Sequence, residues 1–445
     1  MNDVADFIRA ACVPLGRSHV SGELDRAEAI LAEHPEFATD SICTAAVLGD
    51  DAGVRRFIDA DPSAATRKGG PYDWDALTYL CFSRYLRLDA DRWAGFVAAA
   101  RALLDAGADA NTGWWEKSEQ PRPEWEPALY GAAGIAHHAD LTRLLIERGA
   151  DPNDGEVTYH SPEGYDNGAM QALVESGKLT PDSLATMLLR KHDWHDYEGI
   201  VFLLDQGADP NRITHWRKTS LQQAVQRDND LEIIKAVLDR GGDVNFPSGP
   251  TSPISLAVGR GRGDILDELR RREILFELRG VERLIAACAI DDVEAVRAIA
   301  SSEPDVVREL LAQGGKLLAE FAGVGNTPGV GHLLDLGVDV GERYKEGDGY
   351  YGIARDSTAL HVAAWRGRHS TVKLLIARGA PANVRDGQGS TPLALAVKAC
   401  VDSYWSERRS PESVQALLDA GAAAREIALP SGYGEIDLLL EAARQ

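Results

Sequence analysis

The sequence predicts an all-α solenoid of about twelve stacked helix-turn-helix units with finger loops and no extensive sheet. Three observations carry that prediction. The chain has 445 residues, more than one compact core usually holds. Its composition, 44% hydrophobic and 26% charged, is that of a folded protein. One phrase recurs along it: an apolar run, then Gly-Ala, then Asp-x-Asn.

The phrase is clearest at Leu103-Leu104-Asp105-Ala106-Gly107-Ala108-Asp109-Ala110-Asn111. It returns at Leu144-Leu145-Ile146-Glu147-Arg148-Gly149-Ala150-Asp151-Pro152-Asn153 and at Leu203-Leu204-Asp205-Gln206-Gly207-Ala208-Asp209-Pro210-Asn211. Looser copies end at Asn245, Asp339, Asn383 and Ala422. An amphipathic helix that stops at a Gly able to take a left-handed cap, followed by Asp or Asn in a turn, accounts for the pattern. The other half of the unit is plainest at Ser357-Thr358-Ala359-Leu360-His361-Val362-Ala363-Ala364-Trp365-Arg366-Gly367. There Thr358 is placed to cap a short helix, the Ala-Ala pair permits close packing, and Gly367 ends it. Weaker versions begin at Thr219, Ser252 and Thr391.

These residues resemble the ankyrin repeat, which implies a capped short helix, a tight turn, a longer apolar helix and a finger leading to the next unit. Along the chain, Phe7–Glu36 reads as a degenerate opening pair and Cys43–Pro62 as the second unit. Further units fall near 74–111, 125–153, 157–177, 180–211, 217–245, 251–274, 281–304, 316–340, 356–383 and 389–422. The stretches 157–177 and 281–340 match least well. The domain reading is therefore 1–62 as degenerate capping repeats, 63–425 as the array and 426–445 as a closing helix, with 270–285 the one linker candidate. Insertions at 84–95, 191–198 and 402–411 are expected to lengthen the helix pairs they interrupt. The run Gly323–Gly331 resembles a phosphate cradle but lacks a G-x-G-x-x-G frame; Asn326 or Thr327 capping a helix with Pro328 in its first turn explains it better.

Charge and cysteines bound the function. Lys+Arg total 47 against 69 Asp+Glu, a net charge of −22, which repels phosphate backbones and argues against nucleic acid. The arginines between 260 and 283 interleave with acids and suit an ion-paired helix. No apolar run approaches the roughly 20 residues a membrane span needs, and the first residues carry no signal-peptide core. Five scattered cysteines in Ala-rich helices read as core residues of a cytoplasmic protein.

Ankyrin-like units bind partners through their fingers and short helices, so departures there are the candidate site. The finger 111–127 holds Trp114, Trp115 and Trp125; the finger 341–356 holds Tyr344, Tyr350 and Tyr351; a shorter one carries His215, Trp216 and Arg217. Trp365 and Arg366 close a short helix. Trp, Tyr and Arg are the types that dominate binding hot spots. The leading function is thus a monomeric scaffold whose concave face takes a protein partner, with net acidity favouring a basic segment and no cofactor required. The bland alternative is that these rings fold back on neighbouring fingers. A second reading is an enzyme or small-molecule binder in the groove, using His160, His192, His195 and His215. Two histidines three apart beside Asp193 and Asp196 give that reading its only cluster, and no HExxH, GxSxG, CxxC or EF-hand pattern supports it. Catalysis is accordingly not expected.

Overall fold

The structure, a computed structural model, describes residues 3–13, 22–116, 123–246 and 251–445. It separates into two compact units, Met1–Asp243 and Val244–Gln445. In the first, helices follow one another as Val4–Ala11 and Asp25–Glu33, Ile42–Leu48 and Asp51–Ala60, Ala76–Cys81 and Trp93–Asp105, then Ala128–Tyr130 and Ala139–Glu147. Gly155–His160 and Gly168–Glu175, Pro181–Lys191 and Tyr197–Asp205, and Ser220–Gln226 and Leu231–Asp239 complete it. In the second the pairs are Pro253–Gly259 and Gly263–Arg271, Val281–Ala289 and Val293–Ser302, Gly314–Val324 and Thr327–Asp335, Ala359–Trp365 and His369–Ala377, and Pro392–Asp402 and Glu412–Asp419, before a last helix Gly434–Ala443. The expected all-α repeat architecture is what forms.

Each part of the recurring phrase has a structural duty. Gly149 and Gly207 adopt φ of 100° and 92°, the left-handed region that ends the long helix. Asp109, Asp151 and Asp209 each accept the amide of the residue two further on at 2.9 Å, closing the turn. The Asn then reaches into the following repeat. Asn111 Nδ2 donates to the Gly149 carbonyl and its Oδ1 accepts from the Asp151 amide, both at 2.9 Å. Asn211 does the same with Gly241 and Asp243, and Asn383 with Gly421 and Ala423. The phrase is therefore a turn and a clamp between neighbours in one stretch of chain.

Helix starts follow the capping rules. Thr180, Thr219, Ser252 and Thr391 accept the amide of the third residue onward through their side chains. His361 is framework, as its place in the repeat implies: its Nε2 donates to the Ser390 carbonyl at 3.1 Å, so its Nδ1 accepts from Thr358. The apolar stripes meet between layers, where Leu103, Leu145, Leu203 and Leu375 are fully buried. Each such side chain contributes about 1.5–3 kcal/mol of hydrophobic burial.

The insertions at 84–95, 191–198 and 402–411 extend the pairs they interrupt by adding the short helix Arg84–Leu88 and the 3-10 turns Ala90–Arg92, His192–Trp194 and Ser406–Arg408. Local polar caps cause this: Asp196, for example, accepts the Gly199 amide and starts a new helix instead of continuing the old one. In the poorly matching region, helix pairs form at 281–302 and 314–335, but Pro304–Leu311 adds a helix packed on the earlier pair. The Gly323–Gly331 run is a capped turn: Asn326 Oδ1 accepts from Gly329, and its Nδ2 donates to the Gly261 and Ala289 carbonyls at 2.7 Å. Gly131–Ile135 forms a π-helical turn that no sequence signal announced.

Candidate functional site

In the first unit the long finger is a hairpin, Gly113–Glu116 paired antiparallel with Glu124–Pro127; residues 117–122 of that finger lie outside the described residues. Its register sets Trp115 opposite Trp125 and Trp114 opposite Glu126, with Glu116 opposite Glu124. Period-two alternation therefore divides it into two faces. One carries Trp115 and Trp125, whose rings lie 5.1 Å apart, with Trp115 55% exposed. The other carries Trp114 and three carboxylates, Glu116, Glu124 and Glu126. Trp114 stacks on Trp74 at 5.2 Å and meets Phe82 edge-on at 5.8 Å, so it anchors the finger to the body.

That contact begins a row of rings along the unit. Phe82 meets Tyr130 at 6.0 Å, Tyr130 meets His160 at 5.1 Å, His160 meets Tyr159 at 4.7 Å, and Tyr159 meets Trp216 at 5.6 Å. Trp216 and Arg217 are exposed at the tip of their finger, with His215 exposed against the Trp216 ring. Arg217 holds φ of 59°, and the Arg190 guanidinium lies 3.8 Å over Tyr159. Tyr159 and Trp74 were not singled out from the sequence.

Acidic groups follow the same row. His160 is buried, with Nε2 3.3 Å from Glu156 and Nδ1 3.0 Å from Glu163. Burial disfavours its charge, but the hydrogen bonds to the two carboxylates outweigh that and raise its pKa to about 9. Glu126, buried on the hairpin's inner face, has its pKa pushed up to about 8, first by burial and then by neighbouring Glu156. Glu124, Glu126 and Glu156 each place a carboxylate oxygen within 4.8 Å of the others.

The histidine-rich stretch is a structural network. His192 is fully buried, 2.7 Å from both Asn229 Oδ1 and Ser220 Oγ. Because Asn229 Nδ2 donates to the His192 carbonyl, its Oδ1 faces the ring, so His192 Nδ1 donates and Nε2 accepts. Burial lowers the pKa of His192 to about 4. Asp193 bonds Gln223 and Arg227, and also pairs with Arg190. Buried Lys191 joins Asp196 at 2.8 Å. His195 takes the left-handed position that ends the turn. His192 and His195 thus do not converge on a shared ligand position.

In the second unit, Tyr344, Tyr351, Trp365 and Arg366 are buried, which corrects their reading as accessible anchors. The short strands Arg343–Tyr344 and Ser357–Thr358 pair and fold that finger onto the Ala359–Trp365 helix. The Arg366 guanidinium lies 4.0 Å over Tyr351 and 5.1 Å over Trp405, while Trp365 Nε1 donates to the Tyr351 carbonyl at 2.6 Å. Two cation–π faces substitute for water around a charge that sequence alone places on a surface. Tyr350 stays 43% exposed. The arginines near 260–283 are ion-paired, Arg262 with Asp264 and Arg271 and Arg272 with Glu268. A cavity of about 410 Å³ lies in the first unit between the opening helix and residues 40–43 and 64–71, away from every residue predicted to bind.

Residues 325–396 match the family model described as ankyrin repeats (many copies), and helix pairs with the same glycine caps and asparagine clamps precede and follow that match. Residues 325–396 are thus ankyrin repeats. Serine/threonine-protein kinase 12 of Arabidopsis thaliana is 39% identical to it over 84 residues, 19% of this chain and 16% of that protein, so the likeness spans a small part of the relative's length. The solved ankyrin repeat domain of human ASB11 covers 57% of this chain and 96% of its own, at 19% identity and a TM-score of 0.27. Among the described residues no helix is long and apolar enough to cross a membrane.

Proposed function

We propose that this protein is a cytoplasmic interaction scaffold that takes a basic segment of a protein partner on the finger side of its first unit. Residues 1–62 and 426–445 would close the array, and five buried free cysteines agree with a reducing compartment. The observation that carries the reading is that one unit presents the exposed rings Trp115 and Trp216, with half-buried Trp125, and also carries the carboxylates Glu124, Glu156 and Glu163. Aromatic surface gives a peptide large contact area at low entropic cost, and carboxylates select its sign. Ankyrin repeats commonly serve protein–protein interaction, which agrees with this assignment. Trp114 is not among the anchors, since it is committed to Trp74.

The test is a titration of the full chain with Lys/Arg-rich, neutral and acidic peptides of equal length. The basic peptide should bind best, and Trp115→Ala/Trp125→Ala/Trp216→Ala should weaken it by about tenfold or more, the scale of a hot-spot loss, with melting unchanged. Equal binding of all three peptides, or no loss in the triple variant, would reject the assignment.

A further inference from the structure

We propose that Glu124, Glu126 and Glu156 form a site for one divalent cation of the hard, oxygen-seeking class, such as Ca²⁺. This inference goes beyond the partner reading and competes with it for Glu124 and Glu156.

The hairpin register puts Glu116 directly opposite Glu124, with Glu126 on the same face. Like charges facing each other across strands destabilise a hairpin, and a third acid beside them compounds the cost. Glu156, from the start of the Gly155–His160 helix, brings a further carboxylate to that face.

The second observation is Glu126 itself. Its side chain is buried to 4% exposure, and Oε2 has no hydrogen-bond partner among the described residues. A buried polar atom left unsatisfied is costly, and this one belongs to the group whose oxygen meets those of Glu124 and Glu156. Glu124 is exposed, so the cluster has a route to solvent. His160, at 3.3 Å from Glu156, orients that carboxylate from behind, as partners of metal-binding groups do.

Donor chemistry selects the ion. Three carboxylates and water suit hard cations and not thiophilic ones. Ca²⁺ holds oxygens at about 2.3–2.6 Å, so oxygens across its shell stand about 4.6–5.2 Å apart. Mg²⁺, at about 2.0–2.1 Å, needs them within about 4.2 Å and in stricter octahedral order. Mutual separations within 4.8 Å put the three oxygens within reach of one such cation, with waters in the remaining positions.

The experiment uses the full chain, stripped with EDTA. Melting is followed on adding CaCl₂ up to about 1 mM, the weak end of protein Ca²⁺ sites. Tb³⁺ luminescence is read with excitation of tryptophan, since Trp125 lies between two of the ligands in sequence and Trp115 lies opposite it. Wild type should melt several degrees higher with Ca²⁺ and show Tb³⁺ emission that Ca²⁺ displaces. Glu126→Gln and Glu124→Gln should each lose both responses. Glu124 is exposed, so its variant keeps the test meaningful should Glu126→Gln fold poorly. No response in wild type, or undiminished emission in the two variants, would overturn the site. A lysine-rich peptide that binds wild type, ignores Ca²⁺ and is lost in Glu126→Gln, with no Tb³⁺ emission, would also overturn it and give these carboxylates to a partner's basic side chain.

Discussion

Single side chains in this protein hold neighbouring repeats in register. Asn153 is the fullest case: its Nδ2 donates to the Lys178 carbonyl, and its Oδ1 accepts from the Thr180 amide and the Ser183 hydroxyl. Asn153→Ala should cost about 1–3 kcal/mol, since it strips partners from partly buried groups; urea unfolding at constant m-value measures this, and a loss below about 0.5 kcal/mol would show the clamp to be idle. His192 predicts a pH effect. Its folded pKa of about 4 lies below the unfolded value near 6.5, so the unfolded chain binds the proton first. Its contribution is full above about pH 6.5 and falls away as pH drops toward 4, by at most about 3 kcal/mol. A His192→Gln variant should therefore show a shallower loss of stability between pH 7 and pH 4; an unchanged slope would place the acid sensitivity elsewhere, for instance at His137, whose pKa burial also lowers to about 4.

At the scale of elements, the hairpin 113–127 shows how one finger serves two purposes. Its alternation turns Trp114 inward onto Trp74 and Phe82 and leaves Trp115 outward beside Trp125. Trp114→Ala should destabilise the first unit by about 2–4 kcal/mol, near the range for lost buried aromatics. Trp115→Ala should change stability by no more than about 0.5 kcal/mol, as exposed substitutions do. Thermal melts of the two variants compare adjacent residues of identical chemistry, and similar effects would contradict the register. The finger 341–356 lacks this outward face for most of its rings: Tyr344 and Tyr351 are buried, and Arg366 is held between Tyr351 and Trp405. Adjacent tryptophans were readable as a candidate site; which of the two faces out was not, because a one-residue slip exchanges the faces of a strand.

For the whole molecule, repetition and charge set behaviour. Ion pairs recur at one position of the repeat, Asp105 with Arg148, Asp205 with Arg240 and Asp335 with Arg378, each at 2.7 Å. Exposed as they are, these pairs are screened by solvent and contribute little, so the stack depends on burial and on the asparagine clamps. The net charge of −22 acts at longer range. Raising ionic strength from about 0.01 M to 0.15 M shortens the Debye length from about 30 to 8 Å. Association of a basic peptide should then slow by about tenfold or more, with dissociation little changed. Stopped-flow rates that ignore salt would mean that charge does not steer the encounter.

The sequence by itself determined the all-α repeat class, the glycine caps, the N-capping Thr and Ser residues and the framework role of His361. These are local: a cap or turn is decided by residues within one helical turn, so periodicity and spacing suffice to read it. Tertiary structure decided the rest. It placed Arg366 and Tyr351 inside, tied His192 to Ser220 and Asn229, inserted Pro304–Leu311 as an extra helix, and gathered Glu124, Glu126 and Glu156 from two elements. Each of these depends on contacts between residues distant in sequence, where burial and the local dielectric determine whether a ring is an anchor or a core, and whether a carboxylate keeps its proton.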